Sequence, residues 1–367
     1  MKEEKHTCDI CHEERDLSEL TYFDESYLCE DCLRRETFIC RDCGDRHWND
    51  DSADGDLCQT CYDEDYVRCE RCDAVIHYDD ACYHEDEEYH DHPYCRDCFD
   101  MDEIIHDYYY KPEPIFYGDG PRYLGVELEL DDGGENEFCA SKLLEIANNG
   151  CERMYIKHDG SLDDGFECVT HPMTLDYHIN QMPWRAILNK AVAKGYLSHQ
   201  AGTCGLHVHI SRNALGANYE EQEATIAKIL YFYEKFWNEI LTFSRRTESQ
   251  AEHWARRYGG GIINPKETLK HAKNSHMGRY AAVNLENEAT IEMRIFRGTL
   301  KYSTFIATLQ IVDEICKVAI SLSDEFMQGL TWLDFVKGIA DGKQELINYL
   351  KEKRLYVNEP IRNEVEI

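Results

Sequence analysis

Two sets of residues in this 367-residue sequence have types and spacings that could do chemistry: a run of paired cysteines and three short strands carrying ionisable side chains. Thirteen of the 18 cysteines precede residue 99, and twelve form six CxxC pairs: Cys8/Cys11, Cys29/Cys32, Cys40/Cys43, Cys58/Cys61, Cys69/Cys72 and Cys95/Cys98. Taken in order, 17, 14 and 22 residues separate the two pairs of each unit, and seven separate one unit from the next. The second pair always follows an apolar residue, Leu28, Leu57 or Tyr94, so the segment reads as an internal repeat. A CxxC turn offers two thiolates to one tetrahedral ion, and two turns close a site with no open position. Structural Zn2+, about three ions, is the expected occupant, with redox or disulfide use as the alternatives. Sequential pairing gives three knuckles; a cross-brace between neighbouring units is the other arrangement. Cys82, His84, His90 and His92 read as solvated loop residues in an acidic setting, or else as a swapped ligand or extra site.

The second set lies downstream. In RYLGVELELDD, period-two alternation puts Val126, Leu128 and Leu130 on one face and Glu127 and Glu129 on the other. CGLHVHISR sets Leu206, Val208 and Ile210 against His207 and His209. ATIEMRIFRGTL sets Ile291, Met293 and Ile295 against Glu292 and Arg294. Glu167 falls on a further strand, between Phe166 and Val169, after a DGS turn containing Asp159. A half-exposed antiparallel strand alternates too. Same-face glutamates, however, repel unless a cation lies between them, and Glu, Glu, His and Glu beside arginines suit magnesium holding a nucleotide triphosphate.

These strands need supports. Residues 219–244 are amphipathic, with Ile226, Leu230, Tyr233 and Trp237 along one face, and 303–321 and 331–352 read similarly. Strands and helices without regular alternation predict an α+β fold with an antiparallel sheet. The expected layout is three four-cysteine units over 1–100, a linker over 101–120, a catalytic domain over 121–323 and a helical extension over 324–367. The formal net charge is −33, and residues 1–100 carry 32 acids against 10 bases. A surface so negative repels phosphate backbones, so a nucleic-acid partner is not expected and a basic protein partner is. The opening segment MKEEKHTCDICHEERD has no apolar run, and TFIATLQIVDEICKVAISL is interrupted by Asp313, Glu314 and Lys317. Neither a signal peptide nor a membrane span is expected, and a reducing, cytoplasmic setting suits the thiols.

The ordered set GVELE, DGSL…GFE-VT-P, GLHVHIS, RYAAVNL and TIEMRIFRGTL resembles the amidoligase family, over about residues 121–305. That family stands with glutamine synthetase and glutamate–cysteine ligase among the carboxylate–amine ligases. The resemblance implies a curved antiparallel sheet, like the catalytic domain of glutamine synthetase, whose concave face binds ATP and Mg2+ or Mn2+. By motif, Glu127 and Glu129 resemble the paired metal ligands of the first strand. Glu167 and Glu292 resemble further ligands, and His207 a metal- or phosphate-contacting histidine. His209, Arg294 and Arg297 would then face phosphates, and Arg279, Tyr280 and Asn284 would line the substrate end. THPMTL departs from the family's Glu-Pro, SRRTESQAEHWARR has no counterpart in it, and the cysteine repeats lie outside it. The implied reaction is phosphoryl transfer from ATP to a carboxylate, then amine attack on the acyl phosphate; in a further reading the cysteine units present a peptide or protein as the substrate. Phosphotransfer to a guanidino group or amine on the same fold is one alternative, and a non-catalytic zinc adaptor that recruits a protein is another.

Overall fold

The computed structural model describes residues 5–83, 92–99, 104–259, 264–275 and 277–356. The chain divides into two compact units, Met1–Asp102 and Glu103–Ile367.

Unit one repeats a single small design three times. An antiparallel hairpin, a one-turn 3-10 segment, a second antiparallel pairing and a short helix follow one another. In the first copy the hairpin is Lys5–Thr7 with Glu14–Asp16, and the second pairing is Leu20–Phe23 with Ser26–Cys29. The helix Glu30–Glu36 follows at once. The second copy runs from Thr37–Ile39 to the helix Gln59–Asp65. The third begins at Tyr66–Arg68 and has only a bridge between Cys82 and Tyr94 before its helix, Arg96–Phe99. Each copy buries two or three of its four paired cysteines around one aliphatic or aromatic residue, Leu28, Leu57 or Tyr94, and leaves Cys11, Cys43 or Cys72 exposed. Cores this small do little to offset chain entropy unaided, and a metal ion held by the four sulfurs would add folding free energy.

Unit two is mixed α and β around a seven-stranded sheet. Its strands are β1 (Ile105–His106), β2 (Leu124–Leu130), β3 (Met154–Lys157), β4 (Phe166–Thr170), β5 (Leu206–Ser211), β6 (Val283–Asn284) and β7 (Thr290–Met293). They stand in the order β1-β3-β4-β2-β5-β7-β6, antiparallel except for the β1–β3 edge pair. Residues 104–120 are therefore more than the expected linker, because Ile105–His106 completes one sheet edge and Tyr117 packs on the main core. The aliphatic face of β2, β5 and β7 is fully buried, as the alternation predicts. Helices cover it, chiefly Tyr219–Lys235 and Tyr302–Ser321.

The long amphipathic stretches are broken where the expectation ran them through. Residues 219–244 form two helices, Tyr219–Lys235 and Trp237–Ser244, meeting at Phe236. Residues 331–352 form Trp332–Lys337 and Gln344–Glu352, with Gly338 and Gly342 in the gap. The described part of the expected extension belongs to the same core: Leu346, Tyr349 and Leu350 are buried in it, and Lys343 holds Asp313 at 2.6 Å. No helix among the described residues is long and apolar enough to cross a membrane.

One buried histidine ties a helix to the central strand. His178 is fully buried; its Nε2 donates to the Leu124 carbonyl at 3.0 Å, and its Nδ1 accepts from the Trp184 indole N–H at 3.2 Å. With Nδ1 used as an acceptor, the ring must be neutral, and burial depresses its pKa to about 4. In the unfolded chain the ring takes a proton near pH 6.5, so its contribution is full above that and is lost as pH falls toward 4. The loss amounts to about 3 kcal/mol. Urea titrations at pH 7 and 4.5 should show a larger drop in midpoint for the native chain than for His178→Gln. Equal drops would exclude this anchor.

Candidate functional site

Paired residues in a sheet share a face, so register decides which ionisable groups meet. Glu127 stands opposite His207, and Glu129 opposite Glu167. His209 and Asn284 each stand opposite Glu292, and Lys157 opposite Glu167. The polar faces of five strands thus join into one band running Lys157, Glu167, Glu129 and Glu127, His207 and His209, Glu292. Every one of the expected acidic and histidine ligands is in it. The face is not open to solvent, though: Glu129, Glu167, His207 and Glu292 are at most 4 % exposed.

His207 is the hub. Its Nδ1 lies 3.3 Å from a Glu127 oxygen and 3.5 Å from Glu292, while its Nε2 lies 3.6 Å from Glu129. Two groups of potential ligands share it. Glu127, His207 and Glu292 bring ligand atoms within 4.8 Å of one another, and so do Glu129, Glu167 and His207. Spacings of that size fit the oxygen-rich shell of a small divalent cation, and one imidazole among carboxylates extends the fit to Mn2+.

The electrostatics point the same way. Burial and then the charge of Glu127 push the Glu167 carboxyl well above the usual range, and burial also raises Glu129. Against burial, the flanking His209 and His207 hold Glu127 well below it. His209 Nε2 sits 3.0 Å from Glu127, and that charge raises the imidazole despite its burial. Permanent cations touch only the ends of the band. Lys157 Nζ is 3.1 Å from Glu167, and Arg294 is 2.5 Å from Glu292, whose other oxygen accepts from Asn284 at 2.8 Å. Four crowded carboxylates against two contacting cations leave room for divalent charge.

The remaining expected residues divide. Asn284 orients Glu292 within the band instead of lining a separate substrate end. Arg279 and Tyr280 lie on an exposed 3-10 turn, where Arg279 donates to the hydroxyls of Tyr108 at 2.6 Å and Tyr280 at 3.2 Å. The Tyr108 ring also lies 5.5 Å from Lys157 Nζ, so this one side chain touches both the Lys157 strand and the Arg279 turn. Arg297 approaches the band by its backbone, which bridges to Gly205, while Asp159 caps its own turn by accepting from Ser161. Lys157 was not anticipated, although YIK has the same alternation as the other strands. Hollows of about 200 and 410 Å3 lie elsewhere, beside Tyr349 and beside Trp237.

Gly205 fixes how closely the hub can be approached. Its N–H donates to Glu129, and a Cβ at this position would overlap His207 Nε2. The close packing of the imidazole therefore requires glycine there.

The cysteine sites resolve as sequential. The four Sγ atoms of Cys8, Cys11, Cys29 and Cys32 lie within 4.8 Å of one another, as do those of Cys40, Cys43, Cys58 and Cys61, and of Cys69, Cys72, Cys95 and Cys98. No cross-brace is formed. The backbone N–H groups of Cys29 and Cys58 donate to Cys8 and Cys40 Sγ, each at 3.4 Å. Against burial, such N–H groups hold both thiols at about 6, in the range where thiolates form readily. Cys82 is outside these groups, its Sγ facing the Asp80 carbonyl, and His92 faces Glu70; His84 and His90 lie outside the described residues.

The family described as "Putative amidoligase enzyme" matches residues 148–316, which takes in β3 to β7 with Lys157, Glu167, His207 and Glu292. The match begins after β2 and so leaves out Glu127 and Glu129. No curated protein matches the chain.

Two outcomes follow from this geometry. Elemental analysis of the purified chain should find about three zinc ions, and Cys58→Ser should remove about one of them; an unchanged content in that variant would exclude a four-thiolate second site. Gly205→Ala should displace the His207 ring and weaken Mn2+ binding about tenfold or more, read by paramagnetic resonance. Unaltered Mn2+ affinity would mean the imidazole is not a ligand.

Proposed function

We propose that the second unit is an ATP- and divalent-metal-dependent carboxylate–amine ligase. The observation that carries this reading is the convergence of Glu127, Glu129, Glu167 and Glu292 on His207, in a chain whose residues 148–316 match an amidoligase family. The buried band offers carboxylate oxygens to a hard cation and almost nothing to a nucleophilic mechanism. When bound, Mg2+ or Mn2+ would neutralise the triphosphate and the phosphoryl group moving to the substrate carboxylate.

The chain's own groups then have separate tasks. A divalent ion would be held by Glu127 and Glu292 with His207, or by Glu129 and Glu167 with His207, the one lone pair of the neutral imidazole serving one ion at a time. Asn284 and Arg294 fix the rotamer of Glu292, and Lys157 fixes Glu167. His209 and Arg294 face the incoming phosphates. A carboxylate is a poor electrophile; its phosphorylation to an acyl phosphate supplies a leaving group, and the amine then displaces phosphate. The cysteine unit, closed and acidic, presents a basic protein or peptide as substrate or partner.

A second reading, recruitment without turnover, draws on the three four-cysteine groups and on the burial of the band. One experiment separates the two. Glu127→Gln should abolish ATP turnover, a loss of about a thousandfold or more, with zinc content unchanged. Turnover equal to the native chain would sink the ligase assignment. Release of ADP without orthophosphate would instead indicate phosphotransfer to an amine.

A further inference from the structure

Beside the acidic band lies its electrostatic opposite. The stretch SRRTESQAEHWARR, which has no counterpart among the family-like motifs, begins where the helix Trp237–Ser244 ends. It turns through Arg245, which has a left-handed backbone at φ 67. Arg246 is only 6 % exposed, and its Nε donates to the Ile295 carbonyl at 3.1 Å, while one terminal nitrogen is buried without a hydrogen-bond partner. Arg245 donates one terminal nitrogen to the Arg297 carbonyl, yet its Nε is buried and unpartnered. Arg297 Nε is likewise buried and unpartnered, as is His199 Nδ1. Arg245, Arg246 and Arg297 form no ion pair among the described residues, in contrast to Arg294, which holds Glu292.

The like charges of these guanidinium groups act on one another, and the Glu129 carboxylate, which acts on Arg246, forms no ion pair with any of the three. Burial and then the charges of Arg297 and Arg245 depress His199; burial, against the charge of Glu129 and with neighbouring arginines, brings Arg246 down to about 10. The chain nonetheless fixes this arrangement rigidly. The Arg297 N–H donates to the Ser244 carbonyl at 3.1 Å, and the Arg297 backbone bridges to Gly205, whose N–H reaches Glu129. The cluster therefore stands beside Glu129, against the middle of the band. Planar guanidinium forks with free N–H groups are matched by an oxyanion and by little else.

We infer that Arg245, Arg246 and Arg297 form an oxyanion pocket beside the acidic band, which receives a phosphate group or a substrate carboxylate. For the anion's place in turnover the inference rests on the ligase reading; the binding itself follows from the unpartnered guanidinium nitrogens. His199 closes one side as a neutral donor or acceptor. A substrate held by metal at the carboxylates and by arginines at this pocket would be gripped at both ends of its negative charge.

The test uses the zinc-loaded full chain without magnesium, with inorganic phosphate and, separately, succinate as probes in thermal-shift and calorimetric titrations. At least one anion should raise the melting temperature. Arg297→Met and Arg246→Gln should each weaken that anion's binding about tenfold. Because the Arg297 side chain makes no hydrogen bond at Nε and only adds repulsion, Arg297→Met without anion should melt at or above the native temperature. Response to phosphate alone marks a phosphoryl site, and response to succinate alone a substrate-carboxylate site. If neither anion stabilises the chain, or Arg297→Met responds like the native protein, the pocket is refuted. Glu127→Gln should keep the anion response, so a ligase reading that fails through that variant's undiminished turnover leaves this outcome separately readable.

Discussion

Four carboxylates held against one imidazole, nearly out of contact with water, are the constraint around which the second unit is organised. Such an assembly is uphill unless opposite charge is supplied, and every neighbouring device supplies some. Lys157 and Arg294 bracket the ends, Asn284 and the Gly205 N–H occupy lone pairs, and His209 shields Glu127. What remains uncompensated is negative charge that a divalent cation would balance. The opposite face tolerates this because it is wholly aliphatic: Val126, Leu128, Val208, Ile210, Ile291 and Met293 bury without polar cost. One face stabilises the fold, and the other spends part of that stability on burying charge.

Charge is also ordered in space. Going outward from His207 along the band, acid gives way to paired cation at either end, and past Gly205 stand arginines with no ion-paired acid among the described residues. A low-dielectric setting lengthens the reach of each charge, so the two regions act on any anion between them together. Tyr108, touching Lys157 and Arg279, gives the segment after the cysteine unit a part in the same surface. That segment looked like a connection because its prolines, glycines and tyrosines carry no periodic signal. Its role depends on a two-residue parallel pairing with β3, too short for any pattern to reveal.

Legibility in the sequence followed the physical range of each effect. Alternation is local, so the strands of Glu127, Glu129, His207, His209 and Glu292 and the faces they present could be read directly. Register is not local, and only the pairing of Glu129 with Glu167, or of His209 with Glu292, shows that the four acids share one place. Lys157 was passed over because a lone lysine on a strand is usually solvated. The Arg245–Arg246 pair was passed over because its meaning comes from contact with residues some 50 positions away, through the carbonyls of Ile295 and Arg297. The break at Phe236 was hidden since the apolar stripe continues across it. Among the cysteines, regular spacing showed the metal sites but was equally compatible with either pairing. The N–H groups that point from Cys29 and Cys58 to Cys8 and Cys40 decide for neighbours in sequence.

The joints of the cysteine array carry a further consequence. Helix Glu30–Glu36 passes into strand Thr37–Ile39 with no residue between, and helix Gln59–Asp65 passes into Tyr66–Arg68 in the same way. Each copy is therefore welded to the next by continuous regular backbone, while the four sulfurs that could hold an ion all come from that copy. An array built so can be lengthened or shortened by whole copies during evolution without rewiring any surviving site, but it cannot absorb a single inserted residue at a joint without turning the following copy about the chain axis.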